Sequence, residues 1–157
     1  MKIECDHVHA QRPPSRKAVA AALVEAEAAC EARGERWTEH RRRAYELLLE
    51  RGGPVKAYDL LAHLKEGAAK PPTIYRALDA LVAMGLVHRI ASLTSFIACS
   101  GTGHEHAASF VLCDCCGAVE EVQVSKKGLT VALRREIGFE ATAITIEAHG
   151  LCRHCHQ

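Results

Sequence analysis

Between residues 15 and 85 the apolar positions recur with the spacing of helices packed on one another. Val19, Leu23, Ala26 and Cys30 return every three or four residues behind Ser15, whose hydroxyl suits an N-cap, and Gly34 closes the run. The segment TEHRRRAYELLLER starts at Thr38, buries Ala44, Leu47 and Leu48, turns Arg41, Arg42 and Arg43 outward and stops at Gly52-Gly53-Pro54. Val55 to Lys65 predicts a third, shorter helix around Leu60, Leu61 and Leu64, closed by Gly67. Pro71 and Pro72 open a fourth, PTIYRALDALVAMG, with Ile74, Leu78 and Leu81 at i, i+4 and i+7 and Gly85 at its end. Arg76 falls about 200° around the helical wheel from Ile74, away from the core. Thr73, Tyr75 and Arg76 therefore stand on the exposed first turn, where main-chain amides and the helix dipole favour a phosphate.

The period then changes. Leu86 to Ile90 and Ser95 to Cys99 predict two short strands; with Leu93-Thr94 as a two-residue loop, His88 would pair with Cys99 on one face. Two short helices, a tight turn and a hairpin make a winged helix-turn-helix. Its second helix would enter the major groove of double-stranded DNA, with Arg76 able to read a guanine edge and Tyr75 or Tyr58 touching phosphate, sugar or a thymine methyl. After Ser100-Gly101-Thr102-Gly103, which suits a hinge, the pattern predicts strands at Ser109–Leu112 and Ala118–Gln123, a helix at Ser125–Glu136 and a last strand at Thr142–Ala148. The expected fold is α+β: a mobile tail over 1–14, a winged-helix domain over 15–99, a hinge over 100–105 and a small αβ unit over 106–157. That last unit carries more apolar residues than its size can bury, so it is expected to dimerise through an edge strand.

Composition narrows the class. The chain has 157 residues, 48% hydrophobic and 25% charged, with aromatics at only 4%, so its cores are built from Ala, Leu, Val and Ile. No apolar run reaches the length of a membrane span and MKIECDHVHA lacks an apolar signal region, which points to a soluble cytoplasmic protein with reduced cysteines. Fifteen Lys and Arg stand against twelve Asp and Glu through residue 100, and five against seven after it. This modest asymmetry fits a DNA-facing first half and a metal-binding second half.

The chemistry-bearing residues collect from residue 88 onward. Cys113-Asp114-Cys115-Cys116 and Cys152-Arg153-His154-Cys155 each supply a Cys-x-x-Cys, and four thiolates so paired form a closed, tetrahedral, structural zinc site. The 35 residues between the pairs mean that the ion ties the end of the chain to a strand upstream. Cys115 is left over as a free thiol or competing ligand, and Cys30 belongs to the core. A second set, His88, Cys99, His104, Glu105, His106 and the Glu120-Glu121 pair, mixes imidazole, thiolate and carboxylate as zinc does in sites that are not all sulfur. Cys5, His7 and His9 form a weaker cluster in the tail. A zinc hydrolase or deaminase would need a His-x-Glu run ahead of Pro-Cys-x-x-Cys; here the run is His-Glu-His and no proline precedes Cys113, so no enzyme is expected.

KPPTIYRALDALVAMGLVHRI, FVLCDCCGAVEE and IEAHGLCRHC together resemble the ferric-uptake-regulator family of metal-sensing repressors, most closely its zinc-uptake-regulator branch. The resemblance spans nearly all of residues 15–157. It implies a homodimeric, zinc-responsive repressor of zinc-uptake genes that binds a pseudo-palindromic operator and holds two zinc ions per subunit. By position it puts the structural zinc on Cys113, Cys116, Cys152 and Cys155, the regulatory zinc on His88, Cys99, His106 and Glu121, and base reading on Tyr58 and Arg76. His106 is preferred to His104 because it lies seven residues before Cys113, as in that branch. Relatives with a further site use a histidine in the last strand; here Ile144 stands there, so that site is expected to be missing, with His154 and His156 as bystanders. An iron- or peroxide-sensing regulator of the same family is the alternative.

Overall fold

Ser15 accepts the Ala18 N–H at 3.2 Å and so caps the first helix, α1 (Arg16–Ala32), whose buried residues are Val19, Leu23, Ala26 and Cys30. The computed structural model describes residues 13–64, 70–99, 109–125 and 127–156. Thr38 caps α2 (Glu39–Arg51) through the Arg41 N–H at 3.3 Å, and Gly52, at φ 63°, ends it in the left-handed region that a residue without Cβ enters at no steric cost.

Val55 and Lys56, expected to begin a helix, instead form a short strand, β1 (Val55–Lys56), and α3 spans Ala57–His63. The reason is tertiary. β1 pairs antiparallel with a strand forty residues further on, Val55 opposite Phe96, and this partner satisfies the extended backbone that follows Pro54. The expected stop at Gly67 lies outside the described residues. α4 (Pro71–Ala83) buries Ile74, Ala77, Leu78 and Leu81 and packs on both α2 and α3.

The hairpin that follows consists of β2 (Val87–Ile90) and β3 (Ser95–Ala98). Its register differs from the expected one: Ile90 pairs with Ser95 and His88 with Ile97, not with Cys99. A two-residue loop at Leu93-Thr94 would need the left-handed residues of a primed turn, for which Leu is poorly suited. The chain uses four loop residues instead, with Thr94 N–H bonded to the Ala91 carbonyl at 3.1 Å and only Thr94 at positive φ (50°). With β1, these strands make a sheet of order β1-β3-β2. The apolar faces of the four helices and this sheet close one core around Leu48, Leu60, Leu78, Leu81 and Val87.

The chain divides into two compact units, Gln11–Ser100 and one that includes Gly101–Gln157. The second is built on β4 (Ser109–Cys113), β5 (Val119–Glu121) and β6 (Ile146–Gly150), in the order β5-β4-β6, with β6 parallel to β4. The last strand thus begins at Ile146 rather than Thr142, because its first partner on β4 is Ser109; Ile144 precedes it. Helix α5 (Lys127–Ile137) connects β5 to β6, and Gly138 (φ 65°) caps it by donating to the Arg134 carbonyl while Phe139 donates to that of Leu133. Phe110, Leu112 and Val119 are buried between these strands, whereas α5 buries no residue in this chain.

Leu78 is fully buried in the core of the first unit. Leu78→Ala should lower unfolding stability by about 2–5 kcal/mol in a urea titration, and a loss under ~1 kcal/mol would contradict the packing of α4 against α2 and α3.

Candidate metal centres

The Cys113 end of β4 and the Gly150 end of β6 lie side by side, since those two residues are the last pair of the parallel ladder. Asp114 N–H continues the contact by donating to the Gly150 carbonyl at 2.8 Å. Beyond the ladder each chain turns back on itself. Gly117 N–H reaches the Cys113 carbonyl at 2.9 Å, and Cys155 N–H and His156 N–H both reach that of Cys152, at 2.9 and 3.0 Å. These two turns aim four sulfurs at one point: the ligand atoms of Cys113, Cys116, Cys152 and Cys155 all lie within 4.8 Å of one another.

The sulfurs of Cys116 and Cys152 are 3.9 Å apart and those of Cys152 and Cys155 3.5 Å. A tetrahedron with zinc–sulfur bonds of about 2.3 Å has edges of roughly 3.8 Å, so the cluster fits such an ion. Cys113, 116, 152 and 155 are all outside any disulfide. Cys115, expected as a free thiol or competing ligand, is disulfide-bonded and falls outside the cluster. The turn that brings Cys113 and Cys116 together leaves the residue between them out. His154 and His156 are exposed and do not join the sulfurs. His149, which the sequence pattern did not single out, pairs with Asp114 at 3.2 Å across the same ladder end.

Main-chain amides prepare the cluster for a cation. N–H groups of Cys116, then Cys152 (at 3.3 Å) and Cys115, point at the Cys113 sulfur and hold its pKa down to about 6. Cys155 is driven the other way, up to about 12, by burial and then by the neighbouring thiols of Cys152, Cys116 and Cys113. Cys116 accepts the Ala118 N–H, which acts downward, but burial and the Cys113 and Cys152 thiols outweigh it and raise its pKa. One thiolate is favoured and its neighbours resist ionising beside it. Four thiolates at these distances require a positive centre among them.

In the first unit His88 and Cys99 converge in spite of the altered register. His88 faces Ile97, and Cys99 lies two residues beyond Ile97 on the same face; its N–H is fixed to the Leu86 carbonyl at 2.9 Å. A ring nitrogen of His88 and the Cys99 sulfur lie within 4.8 Å, close enough to share one ion of the borderline type that suits imidazole and thiolate. His104, Glu105 and His106, like Cys5, His7 and His9, lie outside the described residues. In the second unit the sheet separates the two glutamates. Glu121 pairs with buried Phe110 and is half-buried, whereas Glu120 pairs with Val111 on the exposed face.

The helix-turn-helix presents Tyr58 (73% exposed) on α3 and Tyr75 (51% exposed) with exposed Arg76 on α4, while Thr73 is half-buried. The expectation that main-chain amides at the α4 start would favour a phosphate is corrected. Pro71 and Pro72 carry no N–H, and those of Thr73 and Ile74 are both taken by the Lys70 carbonyl, at 2.9 and 3.4 Å. The dipole and the side chains are then the main attraction for an anion there.

A winged helix-turn-helix with a histidine–cysteine pair on its wing, and an αβ unit gathering four cysteines, together define a metal-dependent DNA-binding regulator by class. Residues 32–155 match the ferric uptake regulator family, and the chain belongs to it. It is 39% identical over 137 residues to the zinc uptake regulation protein of Escherichia coli (strain K12), covering 85% of this chain and 80% of that one. Among solved structures it is similar to a zinc uptake regulator complexed with zinc and DNA (TM-score 0.81, 37% identity, 88% of this chain and 95% of that chain). It is also similar to holo XcZur (TM-score 0.77, 38% identity, 87% and 97%).

The amides around Cys113 make a test in metal-depleted protein. Cys113 should be alkylated ahead of Cys116 and Cys155 at neutral pH, with its rate rising through a midpoint near pH 6, as followed by peptide mass mapping. Equal labelling of the three would contradict the hydrogen-bond pattern.

Proposed function

We propose that this protein is a zinc-responsive DNA-binding repressor, with zinc as corepressor, controlling zinc-uptake genes. The observation that carries this reading is the His88–Cys99 pair, built into the wing of the same domain that exposes Tyr58, Tyr75 and Arg76. A ligand bound there acts on the sheet against which the reading helices pack. The relatives named above point the same way, since the E. coli protein is a zinc uptake regulator and one similar structure holds both zinc and DNA.

The residues divide into two ion sites, giving two zinc ions per subunit. Cys113, Cys116, Cys152 and Cys155 hold the first, which joins the chain end to β4; four sulfurs leave no open position for chemistry. His88, Cys99, His106 and Glu121 hold the second, with His106 ahead of β4 and Glu121 on β5. Bound zinc supplies a dication whose charge and tetrahedral preference those four donors answer together. Because two of these donors belong to the winged-helix domain and two to the αβ domain, joined by a hinge over 100–105, occupancy restricts the angle between the domains. In a dimer the two copies of α4 then keep the separation of a pseudo-palindromic operator, with Arg76 and Tyr58 reading bases and Thr73 and Tyr75 placed beside the backbone. A hundredfold preference of zinc for that arrangement shifts the equilibrium by about 2.7 kcal/mol, and linkage makes the operator tighten zinc by the same factor.

Dimerisation is supported by the apolar surface of the αβ unit. Leu129, Val131, Ile137 and Phe139 are 44–70% exposed on and beside α5, more than a monomer of this size leaves in water without use. Such a regulator works in the cytoplasm, where the DNA is; no described helix is long and apolar enough to cross a membrane.

Gel-shift titration of free zinc against promoters of zinc-transport genes tests the reading. Cys99→Ser should remove zinc-dependent operator binding and leave a folded dimer, and a normal zinc response in that variant would refute the wing site. Arg76→Ala should weaken specific binding by about 1–3 kcal/mol with its salt dependence nearly intact; equal loss on operator and random DNA would reduce Arg76 to a phosphate contact.

A further inference from the structure

The cations of the first unit fall into two groups. Those of α2 are engaged within the protein: Arg41 meets Glu35 at 3.1 Å, Arg43 meets Glu46 at 2.7 Å, Arg42 lies 3.9 Å from Glu39, and Arg51 donates to His63 at 2.9 Å. Arg41-Arg42-Arg43 is the densest run of positive charge in the sequence, yet each guanidinium has a carboxylate beside it, so the run projects little net field. Lys70 and Arg89 belong to the other group. Both are exposed, and neither has an ion pair among the described residues.

These two flank the exposed Tyr75 and Arg76. Lys70 is the residue from which α4 starts, and its side chain makes no capping bond, whereas Ser15 and Thr38 cap α1 and α2. A lysine there also opposes the helix dipole, so it costs stability where serine or threonine would add it. Arg89 lies on β2, the strand that follows α4 and packs on it. Alternation along β2 puts Arg89 on the face of Val87, and across the ladder it stands opposite Phe96; both of those residues belong to the helical core. Arg89 is therefore on the helix side of the sheet, at the exposed end next to the hairpin loop, while His88 turns to the opposite face. The strand that offers a metal ligand on one face presents a cation on the other.

We propose that Lys70 and Arg89 form a two-sided phosphate grip, holding the DNA backbone on either side of the bases that Arg76 reads, and that the arginine run of α2 takes no part in it. This rests on the reading of the winged-helix domain as a DNA-binding surface and adds the division of labour among its contacts. A phosphodiester supplies the negative charge that neither side chain finds among the described residues. Such contacts fix register and orientation without reading sequence.

The test uses full-length, zinc-loaded wild type, Lys70→Ser, Arg89→Gln and Arg42→Gln. Binding to a random-sequence duplex is measured by fluorescence anisotropy over a series of salt concentrations, then repeated on promoter fragments of zinc-transport genes with and without zinc. Each lost phosphate contact removes about 0.9 from the slope of log affinity against log salt, so Lys70→Ser and Arg89→Gln, each present in both subunits of a dimer, should each lower it by roughly 1.8. Both should weaken random and promoter DNA by the same factor, and Arg42→Gln should keep the wild-type slope. Lys70→Ser should also melt no lower than wild type, because serine caps a helix that lysine does not. A lower melting point would mark Lys70 as structural and overturn its role. An unmoved slope in either Lys70→Ser or Arg89→Gln, or a fall in Arg42→Gln as large as theirs, overturns the grip. Emission of Trp37, the one tryptophan in the chain, checks folding, and Arg89→Thr, which suits a strand, replaces an unfolded Arg89→Gln. If the slopes fall as expected but wild type holds the promoter fragments equally with and without zinc, the grip stands and the zinc-responsive reading falls. If wild type responds to zinc and the slopes do not move, only the grip falls.

Discussion

The second unit depends on the convergence of four sulfurs at the ends of two parallel strands. Parallel neighbours cannot be joined by a tight turn, and here the crossover from β4 to β6 runs through β5 and α5. Closing so long a connection costs entropy that Phe110, Leu112 and Val119 do little to offset, since α5 adds no buried residue of its own within the chain. Cys113 and Cys152 stand at the two ends of that connection. A cation shared between the turns would supplement the small core that about fifty residues can build.

The first unit is organised on the opposite principle. Its stability is apolar and local, with α1 and α2 capped by Ser15 and Thr38 and α1, α2 and α4 each buried along one stripe, so a small change on its outer face leaves its interior undisturbed. That allows the wing to carry His88 and Cys99 at the sheet surface while α3 and α4 expose aromatic and cationic side chains. The His88–Cys99 pair and the exposed Tyr58, Tyr75 and Arg76 thus sit on different elements built on one core.

Most of this was legible from residue order, for identifiable reasons. The helices were readable because Ser15, Thr38 and Gly52 mark their ends and the apolar spacing is regular. The four-sulfur cluster was readable because two residues between paired cysteines is the spacing a single ion demands. What stayed hidden depended on partners distant in sequence. Val55 and Lys56 are extended only because Phe96 and Ser95 lie beside them. The wing register turned on Leu93-Thr94 being unable to make the shortest loop. The distinction between Glu120 and Glu121 needed to know which face of the sheet Phe110 buries. Nothing in the residue order marked Cys115 as bonded.

The two prolines that open α4 have a bearing on how such a surface can change over time. With no N–H on Pro71 or Pro72 and those of Thr73 and Ile74 turned to the Lys70 carbonyl, the tip of this helix has few amides to offer an anion, and its geometry is largely set by ring constraints that exist even in the unfolded chain. Tyr75 and Arg76 project from a rigid post that does not depend on them for its shape. Exchanging those side chains would change what the helix presents to solvent and leave the scaffold intact, so the exposed surface of α4 is free to drift independently of the architecture beneath it.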